Sequence, residues 1–514
     1  SVSSSCNGIA MLKGMDFALD PDGNPATDDA VDVINLSLGS SYGQVEDDMT
    51  QAVSNAVASG VIVVISAGNS ADRPYIAGSP SIAPGAISVA QTQVPSASAV
   101  PLLVNAPASI AGVYGNTATL DWAPIGAGVT GDVVYVGRGC AGDALLVSPA
   151  GKIALIDRGT CSISEKVDKA ANAGAIGTLI GLVAAGDAVS FSQGDGSNFV
   201  PSMVIQQSLA SSIKGRLTAL QTVNVSMSNA ASIALVGSMA GTSSRGPAMG
   251  TNLIKPEIGA PGASISAEHG TGTGTTAFGG TSGAAPMVAG AAALMVQAHP
   301  ARSALQIKAL LMNSAETVVY TNPATLPGGL APITRIGAGE LRVNRAVALS
   351  SAAWDTQALS AALSFGAVEA DKQLILNKTL TVENFSATAR TFTITPSFRY
   401  ADDAASGAVL VQVQATVTVP AGGSAAVPVK LVINPATLPD WTLNGGSNGG
   451  DGALLNGPEY DGYLTLTAGP EKLSVPWHVL PRKAAAITGI RPTGARAANV
   501  ITLKNVGAAF DGYD

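Results

Sequence analysis

Charged residues are scarce in this chain of 514 residues, where they make up 12% of the sequence, against about a quarter in ordinary soluble domains. The net charge is −8, and the sequence has no run of lysine and arginine. Nucleic acid is therefore excluded as the main partner, because no basic segment is present to meet phosphates. The length suffices for several large cores.

Long apolar runs are also missing. The longest stretches, such as MVAGAAALMVQA at 287–298, fall short of the ~18–20 residues that a membrane-spanning helix needs. The mean hydropathy of +0.33 comes from alanine, valine and glycine combined with few charges. The sequence therefore predicts a soluble protein with no membrane span.

Cysteine is rare and odd in number, with Cys6, Cys140 and Cys161. Cys140 and Cys161 fall in the same small unit of the chain, and we expect them to form a disulfide. Cys6 then needs a partner that this chain does not contain. A disulfide together with few lysines predicts a secreted protein, extracellular or at the cell surface.

The first part of the chain alternates short apolar strands with an amphipathic helix. VDVINLSL (31–38), VIVVISAGN (61–69) and AISVA (86–90) are continuous apolar runs, and the segment from Val45 to Val57 has helical spacing. This pattern predicts a parallel sheet covered on both faces. The same texture returns later, with helices expected at about 281–298 and 303–315, the second opened by a Ser303–Gln306 capping box.

Two further regions interrupt or follow this α/β core. A separate α+β unit, with a strand–helix–strand pattern from 151 to 183, is inserted at about 97–232. From about 352 the periodicity becomes two, which predicts an antiparallel β-sandwich. The predicted boundaries are 1–96 and 233–350 for the core, 97–232 for the insertion, 351–482 for the sandwich, and 483–514 for a further β unit or tail.

A lone serine opens the apolar helix in GGTSGAAPMVAGAAALM (279–295). Ser282 there could simply cap the helix, since Ser and Thr are common at helix starts. As a nucleophile it would gain from the positive end of the helix dipole and from backbone N–H groups that hold an oxyanion. Asn69 ends the strand SAGN (66–69), where it is either a turn residue or a second oxyanion donor. NLSLG (35–39) adds a strand end that could pair with an extended peptide.

These three segments, in this order, resemble the subtilisin-like serine peptidases (subtilases, peptidase family S8). The resemblance implies that Ser282 is the nucleophile, that Asn69 is the oxyanion donor and that the substrates are polypeptides. It also implies that two short segments flank the substrate, namely Ser37, Leu38 and Gly39 on one side and Ser66, Ala67 and Gly68 on the other. Gly283 stands where the family usually has Met, and Met287 where it usually has His; neither position carries the chemistry.

The remaining regions resemble modules found in large subtilases. The insertion is similar to the protease-associated (PA) domain, with DRGTC (157–161) as one of its marks. The region after 351 resembles a fibronectin-III-like domain. Together with the core, these resemblances imply a subtilisin-like α/β core with a PA-like insertion and a C-terminal β-sandwich.

The sequence offers no clear catalytic base for Ser282. In subtilases the catalytic Asp and His precede the serine in the chain, and both motifs lie before the NLSLG strand. The three histidines are His269, in the loop leading to Ser282, His299, at a helix end, and His478, in the sandwich; none has the place of the base. We therefore expect the chain to be a fragment of a secreted endopeptidase, cut at both ends and inactive alone.

Two alternatives stay open. One is an inactive subtilase-like protein that evolved without Asp and His and only binds peptides or serves at a surface. A purely adhesive protein is the other, although it would need neither Asn69 nor Ser282.

One acidic segment could bind a cation. DPDGNPATDD (20–29) places Asp20, Asp22, Asn24 and Asp28 at near-regular spacing, which suits oxygen ligation of calcium. The alternative is a solvated acidic turn before a strand. No cofactor is expected beyond this possible structural calcium.

Overall fold

The computed structural model describes residues 7–24, 29–184, 186–268, 270–321, 328–441, 443, 450–490 and 501–508. Cys6 and His269 lie outside these residues. The chain divides into two compact units. The first consists of Ser1–Thr92, Thr242–Val319 and Leu330–Asp514, and the second of Gln93–Gly241 and Tyr320–Gly329.

The first unit begins with the expected α/β alternation. Its elements are α1 (Gly8–Leu19), β1 (Val33–Leu36), α2 (Asp48–Ala58), β2 (Ile62–Ser66) and β3 (Ile87–Thr92). All five residues of β2 are buried, as its continuous apolar sequence requires. The side chain of Asp47 caps α2 by accepting hydrogen bonds from the Met49 and Thr50 amides. The sequence pattern did not predict α1.

The second unit contains an eight-stranded sheet with helices. Its elements are β4 (Ser98–Ala99), β5 (Leu102–Ala106), β6 (Gly112–Tyr114), β7 (Thr117–Thr119), β8 (Val129–Gly137), β9 (Ile153–Asp157), α3 (Ile163–Asn172), β10 (Gly177–Gly181), β11 (Ser202–Ile205), α4 (Gln207–Thr218), β12 (Asn224–Met227) and β13 (Ile233–Ala234). The order in the large sheet is β6-β5-β12-β8-β9-β10-β11-β7. The unit is wider than the expected 97–232 and includes a returning segment, 320–329, that the sequence assigned to the core.

A disulfide joins Cys140 to Cys161 within this second unit, as the sequence predicted. The bond closes a loop between residues 21 apart in the chain, and a loop of this size is expected to add roughly 3 kcal/mol to the stability of the unit. Thermal unfolding with and without reductant measures this effect. The Cys140→Ser, Cys161→Ser double variant should match the reduced protein, and identical midpoints in all samples would contradict the prediction.

After the second unit the chain completes the α/β sheet. The elements are β14 (Ile258–Pro261), β15 (Ser264–Ala267), β16 (Thr275–Phe278), α5 (Thr281–Ala298), α6 (Ala304–Asn313), α7 (Ile333–Ile336) and α8 (Val343–Ala348). The sheet order is β1-β2-β3-β14, and every neighbouring pair is parallel. Helix α5 packs on all four strands. The predicted capping box of Ser303 and Gln306 opens α6.

The last part of the first unit consists mainly of β-strands. They are β17 (Ser351–Asp355), β18 (Leu363–Ala370), β19 (Leu374–Asn384), β20 (Arg390–Phe398), β21 (Val409–Val413), β22 (Thr416–Val419), β23 (Ser424–Ile433), β24 (Tyr460–Ala468), β25 (Glu471–Lys483), β26 (Ile487–Ile490) and β27 (Thr502–Asn505), with the short helix α9 (Ala401–Ser406). Two sheets, β17-β19-β23-β21 and β18-β25-β24-β20-β22, share one buried apolar cluster.

One strand pair corrects the expectation of a purely antiparallel arrangement. β18 pairs with β25 in parallel, whereas the other pairs in these two sheets are antiparallel. Both strands carry a period-two pattern, and that pattern is the same in either direction of pairing. β26 and β27 form a separate antiparallel pair in the final segment.

One buried carboxyl group in the C-terminal part of the first unit has a raised pKa. Asp403, on α9, is 8% exposed. Burial, together with the charges of Asp461, Asp402 and Glu459, raises its pKa to about 7. Because the folded state holds the proton more tightly than the unfolded state, this group's stabilisation is complete at acidic pH and is lost as the pH rises towards 7.

The Asp403→Asn variant should therefore lose less thermal stability between pH 5 and pH 8 than the unmodified protein. Melting temperatures measured across that range test this. Glu369→Gln is the control, since Glu369 is an exposed carboxylate on β18 whose charge does not contribute to the raised pKa of Asp403. Parallel curves for the unmodified protein and Asp403→Asn would contradict the assignment.

Candidate active site

Ser282 is the second residue of α5 and lies in the first turn of this helix. Gly280 caps this helix with a φ of 83°, a conformation that glycine adopts without strain. A Cβ atom at Gly280 would lie 3.0 Å from both polar atoms of the Asn69 amide. Gly280 therefore allows the Asn69 side chain to approach the start of the helix closely.

Asn69 follows strand β2 and reaches the same helix start. Its Oδ1 atom accepts hydrogen bonds from the Thr281 amide at 2.9 Å and from the Thr281 hydroxyl at 3.0 Å. The Thr281 hydroxyl also accepts a hydrogen bond from the Gly68 amide at 3.2 Å. With Oδ1 fixed in this way, the Nδ2 group is directed away from Thr281. Among the residues that the structure describes, none accepts a hydrogen bond from it, and Asn69 is exposed.

The two predicted substrate segments lie close to Ser282. The Ser37 hydroxyl donates to the Ser282 carbonyl at 2.8 Å, and the Ser282 hydroxyl donates to the Ser37 carbonyl at 3.4 Å. The Ser66 hydroxyl donates to the Leu38 carbonyl at 3.3 Å and ties the two segments together. The structure thus brings Ser282, Asn69 and all six flanking residues to one end of the parallel sheet.

A small uncharged cavity adjoins the serine. It has a volume of about 240 Å³ and is lined by Leu38, Gly39, Ser40, Ser41, Ser66, Ala67, Gly68, Asn69, Ser70, Gly78 and Ser282. Serine and glycine dominate the wall, and no lining residue is ionisable. The cavity suits an uncharged group held beside the hydroxyl of Ser282.

A second and larger groove, of about 730 Å³, is also lined by Ser37, Leu38 and Gly39. Helix α1 forms one wall through Gly8, Ile9, Met11 and Leu12. Asp47 and Asp48 stand at its acidic side. This wall was not predicted, although the spacing of apolar residues in GIAMLKGMDFAL is typical of a helix.

The two described histidines lie away from Ser282. His299 ends the same helix, which has 18 residues, so about 25 Å of helix separates the two positions at 1.5 Å per residue. Its Nε2 atom lies 3.1 Å from the Val347 carbonyl. His478 is fully buried in β25, with Nε2 3.1 Å from Glu459. Neither of these two histidines is placed to take the proton of Ser282. His269 is outside the described residues.

The acidic segment gathers three carboxylates, from Asp20, Asp22 and Asp29, whose ligand oxygens lie within 4.8 Å of one another. Burial, followed by the charges of Asp22 and Asp29, raises the pKa of Asp20. Asp28 lies outside the described residues, and Asp29 stands in its place in this group. Calcium binding at this loop stays a prediction.

Comparison with known proteins shows the family of the chain. The model of the subtilase family (Peptidase S8) matches residues 2–339. The chain belongs to this family of serine peptidases. No helix in the described part of the chain combines the length and the apolar character needed to cross a membrane.

Individual relatives are similar over long stretches. The minor extracellular protease Vpr of Bacillus subtilis (strain 168) is 30% identical over 433 residues, which is 82% of this chain and 50% of the relative. The subtilisin-like protease SBT3.11 of Arabidopsis thaliana is 27% identical over 369 residues, which is 67% of this chain and 44% of the relative. The chain spans about half the length of the curated relatives it matches.

Among solved structures, the psychrophilic subtilisin-like protease Apa1 from the Antarctic psychrotroph Pseudoalteromonas sp. AS-11 matches 67% of this chain and 73% of its own. The identity is 18% and the TM-score 0.27.

Proposed function

We propose that this chain is part of a secreted serine endopeptidase in which Ser282 attacks the scissile carbonyl and forms an acyl-enzyme. The observation that carries the proposal is that Ser282 and Asn69 line one cavity at the start of α5, where the Asn69 amide is fixed by Thr281. Orphan N–H groups at the start of a helix and an amide fixed through its oxygen are the donors that stabilise a tetrahedral oxyanion. Asn69 Nδ2 is the side-chain donor of this hole.

The flanking segments hold the substrate. Ser37–Gly39 and Ser66–Gly68 lie beside the cavity next to Ser282, and their backbone groups pair with an extended polypeptide. The uncharged cavity receives the side chain that precedes the scissile bond.

Ser282 also needs a base, because a serine hydroxyl is a weak nucleophile until its proton is removed. We place the catalytic His and Asp outside these 514 residues. The positions of His299 and His478 support this, as does the family order in which Asp and His precede Ser.

The proposal is tested by comparing the intact gene product with the 514-residue chain on a chromogenic peptide. The intact protein should cleave the peptide and be inhibited by organophosphonates, and the shorter chain should show no enzymatic rate. Rapid turnover by the 514-residue chain would overturn the assignment of the base. An intact protein that binds peptides without cleaving them would favour the inactive alternative.

We also propose that the inserted unit is PA-like, tunes access or substrate choice, and supplies no catalytic group. Its closed strand–helix–strand pattern and its own buried clusters support this. Deletion of 97–232 through a short linker in the intact protein should retain hydrolysis of a small peptide ester. Loss of that activity in a folded variant would contradict it.

Secretion and the C-terminal module complete the proposal. The disulfide and the extracellular relative Vpr support an extracellular or cell-surface location. The paired sheets after 351 support a fibronectin-III-like domain.

A further inference from the structure

The turn that carries Asn69 is held from both sides by Ser244. The Ser244 amide donates to the Gly68 carbonyl at 3.0 Å, and its hydroxyl accepts from the Ser70 amide at 3.0 Å. These hydrogen bonds fix the backbone of Gly68 and Ser70, the two residues on either side of Asn69. The position of the Asn69 amide depends on the position of Ser244.

The next residue, Arg245, is fully buried and connects this turn to the C-terminal part of the unit. Its guanidinium contacts the Asp72 carboxylate at 3.2 Å and the Asn456 side chain at 2.7 Å, and it forms an ion pair with Glu459. Its Nε atom donates to the Thr334 hydroxyl at 3.0 Å. Arg245 is the residue through which the segment 452–459 reaches the segment beside Asn69.

A second contact runs directly to Asp72, three residues after Asn69. The Gly452 amide donates to the Asp72 carbonyl at 3.0 Å. A Cβ atom at position 452 would lie only 2.0 Å from the Asp72 carboxylate, so glycine is needed for this approach. Arg335 lies 3.3 Å from the same carboxylate and completes the contact.

The charges of this cluster are balanced. Burial alone would raise the pKa values of Asp72 and Glu459, yet Arg335 and Arg245 lower that of Asp72, and Arg245 together with His478 lowers that of Glu459. Both carboxylates are therefore ionised at neutral pH. A buried ion pair contributes little net stability. Removing one partner is strongly destabilising, because it leaves the other charge buried without compensation. The partners of this cluster are therefore held to the positions in which every charge is paired.

We infer that Asp72, Arg245 and Glu459 are positioning residues through which the C-terminal segment 452–459 holds the Asn69 amide in its catalytic place. This inference rests on the proposed role of Asn69 as oxyanion donor. The C-terminal β region then supports catalysis by positioning Asn69, although it contributes no group that touches the substrate. Small displacements of a catalytic donor cost large factors in rate, because the donor must be placed before the charge develops.

The test uses Asp72→Asn, a variant of equal size at a partly exposed side chain, in the intact gene product. It should lower kcat by roughly tenfold or more with little change in KM, since the donor acts on the transition state. Ser360→Ala is the matched control. Ser360 donates to Glu257 at 2.7 Å in a separate buried charge cluster of the same unit. Loss of the Ser360 hydroxyl should lower the melting temperature and leave kcat unchanged.

A double-mutant cycle with Asn69→Ala separates the possible outcomes. If Asp72 acts through Asn69, Asp72→Asn should have little further effect on kcat in the Asn69→Ala background. Full additivity, or an unchanged kcat in Asp72→Asn alone, overturns the inference while leaving the proposed function intact. An unchanged kcat in Asn69→Ala alone overturns both. If Asp72→Asn does not fold, Asn456→Ala, which removes one acceptor of Arg245, replaces it in the same cycle.

Discussion

Replacement of Ser282 by alanine in the intact gene product should abolish peptide hydrolysis, with a loss of roughly 10⁶ in kcat, the range found for the nucleophile of a subtilisin. The neighbouring Thr281 hydroxyl cannot replace it, because that group already donates to Asn69 Oδ1 at 3.0 Å and accepts from the Gly68 amide at 3.2 Å. Stability should be unchanged, because the Ser282 hydroxyl makes only a 3.4 Å hydrogen bond to Ser37.

The control for this prediction is Ser303→Ala. Ser303 also stands at a helix start, where its hydroxyl caps α6. Its loss should lower the free energy of unfolding by about 1 kcal/mol and leave kcat unaltered. Hydrolysis at the full rate by Ser282→Ala would contradict the assignment of the nucleophile.

Replacement of Asn69 by alanine should lower kcat by roughly 10²–10³, the range found for the equivalent donor in a subtilisin, with KM nearly constant. The oxyanion forms only after attack, so the ground-state complex does not lose this hydrogen bond. Initial rates over a range of peptide concentrations separate the two constants.

Asn55→Ala, at an exposed position of α2, is the corresponding control and should behave like the unmodified protein. A rise in KM with kcat constant in Asn69→Ala would mean that Asn69 binds substrate without stabilising the transition state.

Local patterns predicted the core elements well. The helix expected at 281–298 is observed as Thr281–Ala298, and the Ser303–Gln306 capping box is present. Both follow from short-range spacing and from side-chain hydrogen bonds within one turn. The proximity of Ser282 and Asn69 could be predicted only from the family resemblance. Periodicity alone does not show which residues more than two hundred positions apart lie close together.

Features that depend on distant contacts were not predictable. The contact of Gly452 with Asp72 joins segments far apart in the chain, and neither segment carries a local mark of it. The parallel pairing of β18 with β25 is another case, since alternation does not reveal strand direction. Segment 320–329 joins the second unit through backbone hydrogen bonds, such as that of Met239 to Tyr320, which leave no sequence pattern.

The most direct measurement is active-site labelling of the intact gene product with an organophosphonate, followed by mass mapping of the modified peptide. We predict one label per chain, located on Ser282, with loss of activity in proportion to labelling and much slower labelling of Asn69→Ala. A stoichiometric label on another residue, or full peptidase activity while Ser282 remains unmodified, would contradict it.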